Sequence, residues 1–291
     1  MSDRPSVSVI VPFLGTEAQL AALIERLPTI ARRPGDELIV ADNRPRGPAT
    51  IAARGAVRLC PARETQSPGF ARNRGAELAG GDWLVFIDAD TRPSASLLDD
   101  YFDPPPGSRT AVLAGGVRDV AGGGSLAARH SAARGHMSQA ATLTRPAGPY
   151  AQTVNCAVRR SAFIELGGFE HRVRAGEDAD LCLRVQASGW GLEQRPGARV
   201  EHRARDGVPA LLVQLARHGS GARWLNHRYP GLFPPPTLRQ LARRLASNLL
   251  AALAKLARGE PEAASFAALD VLTAIAFELG RLLPNRAPER N

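Results

Sequence analysis

The sequence predicts an α/β fold: a mostly parallel sheet flanked by helices, with a helical C-terminal extension. Three observations predict it. Short β-branched runs alternate with stretches of helical apolar spacing from Val7 to about His202. The run Trp83 to Ile87 ends directly on Asp88-Ala89-Asp90, and Leu and Ala recur at helical spacing from Thr237 to Leu283. Strands that alternate with helices form a parallel sheet, because parallel neighbours need a crossover between them.

Val7 to Val11 (VSVIV), followed by Pro12, reads as a strand buried on both faces. Leu20, Leu23, Ile24 and Leu27 form the apolar stripe of the next helix, which Pro28 and Pro34 end. Glu37 to Ala41 makes a second strand, and Ala56 to Leu59 a short third. Ser67-Pro68-Gly69 punctuates the chain before a helix from Phe70 to Ala79, which Gly80-Gly81 ends ahead of Trp83 to Ile87. Pro93 is expected to begin a helix from Ser94 to Tyr101, and Ala111 to Val117 reads as a strand. From Ala121 to Pro149 the pattern is that of a partly helical, mobile segment suited to facing an acceptor. Val154 to Val158 is a strand, Ser161 to Leu166 a helical turn, Asp178 to Ser188 a helix capped by Gly189, and Ala198 to His202 a last strand. These patterns divide the chain into a domain of residues 1–236 and an extension of residues 237–291.

The 291 residues are enough for one large α/β domain with an appendage. Hydrophobic residues at 44% and charged residues at 22% exclude wholesale disorder. The net charge of +9, mostly from Arg, points to an anionic partner: nucleic acid, an anionic membrane surface or a phosphorylated substrate. Cys60, Cys156 and Cys182 are widely spaced, which indicates neither a zinc knuckle nor a disulfide framework and suits a reducing compartment. Met1 to Pro5 is polar and runs straight into a strand, so no signal peptide is expected and the cytoplasm is the expected location.

The chemistry concentrates in two acidic motifs. In Trp83 to Pro93 (WLVFIDADTRP), Asp88 and Asp90 follow a buried strand at the carboxyl edge of the sheet, where open α/β sheets bind ligands. Carboxylate oxygens suit magnesium or manganese, which are commonly shared with substrate phosphates. Alone, Asp-x-Asp is more often a solvated turn or a helix cap; its position after an apolar strand favours the metal. Gly176-Glu177-Asp178-Ala179-Asp180 opens a helix. Acidic residues there are favourable on dipole grounds alone, but a carboxylate at a cleft rim also suits a general base. His202 ends a strand and is a candidate nitrogen ligand, although a lone His is more often structural. Arg72, early in its helix, is suited to phosphate oxygens or equally to a solvated face.

Taken in order, VSVIVPF, ELIVADN, SPGFARNRGAELAGGDWLVFIDAD and NCAVRRSAFIELGGFEHRVRAGEDADLCLRV closely resemble the family 2 glycosyltransferases of the GT-A (Rossmann-like) fold, over Val7 to His202. The resemblance implies that Pro12, Phe13, Glu17, Asp42 and Asn43 line the nucleotide pocket, with Arg72 and Glu177 near the donor. It implies that Asp88, Asp90 and His202 hold a divalent cation, Mn2+ or Mg2+, and that Asp178 is the catalytic base. Two segments depart from the family pattern. The first loop reads Pro-Phe-Leu-Gly-Thr-Glu, and Asp42-Asn43 is followed by Arg-Pro-Arg-Gly. Arg217-His218-Gly219-Ser220-Gly221 resembles a basic Gly loop that closes over the diphosphate in relatives.

The expected activity is metal-dependent, inverting transfer of a sugar from a UDP- or GDP-sugar to a glycan, lipid-linked or small-molecule acceptor, in cell-envelope or other glycoconjugate synthesis. Nucleic acid is not an expected partner. The rivals are a nucleotidyltransferase, though Pro12 to Glu17 lacks its Gly-rich phosphate loop, and a non-catalytic carbohydrate- or membrane-binding scaffold. The basic amphipathic helix after Thr237 suits either the inner face of a membrane or packing on the core or a second subunit as a homodimer. The following stretch, Ala263 to Leu283, contains Asp270 and Glu278 and so reads as a docked or interfacial helix rather than a simple span.

Overall fold

A computed structural model describes residues 4–122, 124–146 and 148–290; Met1 to Asp3 of the polar lead-in lie outside them. The chain forms two compact units, one from residues 1–118, 137–202 and 286–291, the other from 119–136 and 203–285.

The first unit is built on the sheet. Strands β1 (Val7–Phe13), β2 (Glu37–Asp42), β4 (Val57–Pro61) and β5 (Trp83–Ile87) are parallel, in the order β4-β2-β1-β5. Their β-branched and aromatic side chains are buried on both faces, as a parallel sheet with covered faces demands. Helix α1 (Glu17–Arg26) starts with a Thr16/Gln19 capping box and buries Leu20 and Leu23. Helix α2 (Pro68–Leu78) starts at the Ser67 side chain, which accepts from Phe70 N–H, with Pro68 in its first turn.

The other half of the sheet is mixed in strand direction. It adds β8 (Asn155–Arg159), β7 (Thr110–Val120), β9 (Gly191–Arg203) and β6 (Thr91–Pro93), and β3 (Ala52–Arg54) pairs antiparallel at the far edge. Two sequence expectations change here. Pro93 closes the edge strand β6 instead of opening a helix, because Thr91 to Pro93 pairs with His202 to Val200; helix α3 is only Leu97–Tyr101. β3 carries three exposed residues and so showed no hydrophobic alternation to read. Helices α4 (Leu126–Arg134) and α5 (Gln139–Leu143) make the Gly/Ala/Ser-rich segment partly helical, as expected. Helix α6 (Arg160–Glu165) and helix α7 (Glu177–Ala187) follow. The three cysteines are buried and unbridged.

The second unit gathers α4 with three long helices, α8 (Val208–Arg228), α9 (Leu238–Ala257) and α10 (Pro261–Gly280). The Arg217 to Gly221 loop predicted by resemblance does not form: those residues are the middle of α8. Gly219 serves packing instead. A Cβ on Gly219 would lie 1.9 Å from the Phe277 carbonyl oxygen, and one on Gly280 would lie 2.1 Å from that of Ala216, so α8 and α10 touch backbone to backbone.

Candidate functional site

Parallel register brings the candidate residues to one edge. Phe13 aligns with Asp42, and Asp42 with Pro61, at the carboxyl ends of β1, β2 and β4; β5 ends beside them on Asp88. A tight turn follows, in which Thr91 N–H and its hydroxyl both donate to the Asp88 carbonyl, at 3.1 and 2.7 Å. Arg26, in the last turn of α1, donates to the Ala89 carbonyl at 2.7 Å and braces the turn. Because the turn feeds directly into β6, and Thr91 pairs with His202, Asp90 comes to the imidazole. Its Oδ1 lies 3.7 Å from His202 Nε2.

Arg72 ties the two acidic motifs together. Its side chain is almost fully buried, one nitrogen donating to Asp88 Oδ1 at 2.8 Å and the other to Glu177 Oε1 at 2.9 Å, with the Phe169 ring 5.8 Å away. Burial works against the guanidinium charge, but Asp88 and Glu177 more than offset it and its pKa is raised. Such a buried Arg, paired with two carboxylates, fixes Asp88 and Glu177 relative to each other at the strand ends.

The second acidic motif starts on Gly176, whose φ of +90° is a conformation other residues adopt at a cost. It leaves Glu177, Asp178 and Asp180 in the first turn of α7, and the fold gives each a different task. Glu177 holds Arg72. Asp180 is fully buried and pairs with Arg184 one turn on at 2.8 Å, and Arg184 also donates to the Leu166 and Gly168 carbonyls. Asp178 is half-buried and accepts from Ala179 N–H at 2.8 Å. Burial first, and then the Glu177 charge, push its carboxyl up to about 7, against the pull of Ala179 N–H and Arg72. A carboxylate poised there is suited to proton abstraction near neutral pH.

The remaining candidates form a second cluster at the ends of β1 and β2. Asp42 is fully buried, and Arg44 closes over it with hydrogen bonds of 2.9 and 2.6 Å from Nε and a terminal nitrogen. The same guanidinium reaches Glu17 at 2.6 Å and lies 5.5 Å from the Phe13 ring centroid. Glu17 also pairs with Arg54. Pro12 sits within β1 opposite Ala41. Asn43 turns away from this cluster, donating to the Ala62 carbonyl and, at 2.8 Å, to that of Thr65. Arg44 was not singled out in the sequence. Its signal was the Arg-Pro-Arg-Gly departure itself, which places a guanidinium two residues after a buried aspartate.

A further feature gave no sequence signal. Residues 286–290 return to this edge: Arg290 donates to the Asn43 carbonyl at 2.7 Å, Gln66 N–H to that of Pro288, and Ala287 N–H to that of Arg172. The segment thereby ties the loop after β2 and the loop after β4 to the approach to α7.

For the expected cation, Asp90 and His202 supply an oxygen and a nitrogen close enough for one ion to touch both, with Asp88 two residues from Asp90. Among the described residues no three His, Cys, Asp or Glu side chains converge as a closed metal cage. Of the expected set Asp88, Asp90 and His202, the fold brings Asp90 and His202 together, while Asp88 is bonded to Arg72.

The model of the family "Glycosyl transferase family 2" matches residues 8–167. Among curated proteins, the chain is 26% identical to the pre-mycofactocin glycosyltransferase of Mycobacterium tuberculosis, over 79% of this chain and 49% of that protein. It is 24% identical to the glycosyltransferase AglE of Haloferax volcanii, over 66% of this chain and 64% of that one. The chain therefore spans about half the length of the Mycobacterium relative. Among solved structures, a mannosyltransferase of Pyrobaculum calidifontis in complex with GDP-Man and Mn2+ superposes with a TM-score of 0.62 at 18% identity, covering 94% of this chain and 87% of that one. That likeness is one of fold.

Proposed function

From the premise that this chain belongs to glycosyl transferase family 2, we propose that it transfers a sugar from a nucleoside-diphosphate sugar to an acceptor hydroxyl, with inversion at the anomeric carbon. One observation carries the reading: the guanidinium of Arg72 joins Asp88 to Glu177 at the carboxyl edge, at the first turn of α7 that presents Asp178.

The residues divide the work. Phe13, Asp42 and Arg44 form the edge of the pocket for the nucleotide base. Asp88, Asp90 and His202 would hold a Mn2+ or Mg2+ ion, which when bound supplies positive charge to the diphosphate. Arg72, bonded to both Asp88 and Glu177, holds the metal-side carboxylate in a fixed position relative to the helix that carries Asp178, so the site is preorganised for transfer. Asp178 takes the proton of the acceptor hydroxyl. The acceptor oxygen bonds to the anomeric carbon as that carbon's bond to the diphosphate oxygen breaks, the electron pair leaving with the phosphate. We assign the reaction to the assembly of a cell-envelope or other glycoconjugate.

The test is a panel of UDP- and GDP-sugars, with and without manganese, on the parent and two variants. Asp178→Asn is expected to fold and bind donor but lose transfer. Asp90→Ala is expected to lose metal-dependent donor binding. Full activity in either variant would sink the assignment.

A further inference from the structure

In the second unit, α9 and α10 are joined by three residues and pack against each other as an antiparallel hairpin. Between Leu238 and Ala257, α9 contains no carboxylate, and Ala252 is its one buried residue. Leu241, Leu245, Asn248 and Ala252, three or four residues apart, form its less exposed face.

A strip beside that face is apolar and open. Leu249, Leu253 and Leu256 are 53%, 57% and 60% exposed. α10 has a corresponding strip in Leu272, Ile275 and Leu279, continued by Leu282 at 73% exposed, and no charged residue interrupts it. At about 100° per residue each strip lies about a quarter turn from the line of contact, and in an antiparallel pair both turn to the same side of the hairpin. The result is one broad apolar face, larger in kind than the scattered leucines normal on a soluble surface.

Its border is cationic. Arg239 and Arg243 lie along the outer edge of the α9 strip and Arg258 follows its last turn. This combination of an open leucine face and an acid-free basic helix matches the interfacial zone of an anionic bilayer, where leucines enter the acyl boundary and guanidinium groups meet phosphate headgroups. A second copy of the chain is the poorer occupant, because it would bring two such basic helices together on a molecule of net charge +9.

α10 is also long and apolar enough to cross a membrane. Asp270 in its middle, however, is held by His130 and Arg134 of α4, and Glu278 by Arg281 at 3.0 Å. Spanning would carry these carboxylates into hydrocarbon. We propose that the α9–α10 hairpin docks on an anionic membrane surface, lying in the interface with its leucine face inward.

The test is co-sedimentation of the full chain with phosphatidylcholine vesicles, with and without phosphatidylglycerol. Binding is expected only with the anionic lipid, reversed by high salt, and weakened about tenfold or more by Arg239→Gln with Arg243→Gln. Leu249→Glu with Leu253→Glu is expected to abolish it while circular dichroism stays unchanged. Should that variant unfold, Leu253→Trp in the otherwise intact chain gives the same information through a blue shift of emission on anionic vesicles. Three results would overturn the proposal: equal binding to both vesicles or to neither, a dimer in sedimentation velocity that the Leu→Glu changes dissociate, or membrane retention that resists both salt and carbonate.

Discussion

Arg72 and Glu177 lie 105 residues apart in the chain and meet at 2.9 Å, and the same guanidinium holds Asp88 at 2.8 Å. This triad, buried at Arg72 and Glu177, joins the strand that ends in Asp-Ala-Asp to the helix that bears Asp178. Arg72→Ala leaves two carboxylates without their cation. It is expected to cost about 3–5 kcal/mol of stability, as breaking a buried ion pair does, and to abolish transfer. Arg72→Lys keeps the charge but loses the fork that reaches both partners, so it should recover part of the stability and little of the rate. Urea unfolding alongside donor turnover checks both; a stable, active Arg72→Ala would remove the triad from the mechanism.

Asp178 makes pH a second probe. Its carboxyl titrates near 7 in the fold, above its ordinary value. The folded chain therefore keeps a proton that the unfolded chain has released between about pH 4 and pH 7. On this group's account stability is greatest below about pH 4 and falls as pH rises to 7. Asp178→Asn should remove that fall, so that the variant is the more stable of the two at pH 8. The kcat/KM of the parent should rise through about pH 7 as the base becomes ionised. A parent profile flat from pH 5 to pH 8, measured by initial rates, would contradict the role of Asp178 as base.

Arg44 over Asp42 gives a third. The hydrogen bonds to Asp42, then those to Glu17, raise the guanidinium's pKa, and the pair sits at the strand ends assigned to the nucleotide base. Arg44→Ala is expected to raise the donor KM about tenfold with kcat changed far less, because it alters uniform donor binding. Steady-state kinetics decide it; a fall in kcat with KM unchanged would place Arg44 elsewhere in the reaction.

The α8–α10 contact supplies a fourth. Gly280→Val puts side-chain atoms where the Ala216 carbonyl stands, 2.1 Å from the new Cβ. The two helices must separate, so thermal unfolding should show a loss of about 1–3 kcal/mol or more in the second unit. An unchanged melt would mean the helices do not touch as described.

Much of the fold was legible because it is local. Trp83 to Ile87 is a strand to the residue, and Ser67-Pro68 starts α2 just ahead of the predicted Phe70, since β-branched runs and caps act over a few positions. Pro93 misled for a related reason: it is compatible with a helix start or an edge strand, and pairing with Val200, a hundred residues away, selected the strand. Arg217 to Gly221 was expected to be a loop by resemblance to the family, yet it lies within α8, and the close approach of α10 makes Gly219 a helix-packing position.

The sequence by itself determined the main strands β1, β2, β4 and β5 with their helices, the acidic pair at the end of β5 and the acidic start of α7, because periodicity, capping and turn chemistry are written in neighbouring residues. Only the tertiary structure decided what each acid does. Glu177, Asp178 and Asp180 are near-equivalent as text; Arg72 and Arg184 claim the first and the last, and burial beside Glu177 raises the middle one to about 7. Asp42 likewise became the partner of Arg44, and residues 286–290 returned to the loop at Asn43. Charge and desolvation depend on which groups meet in space, and those meetings span distances along the chain that no local pattern records.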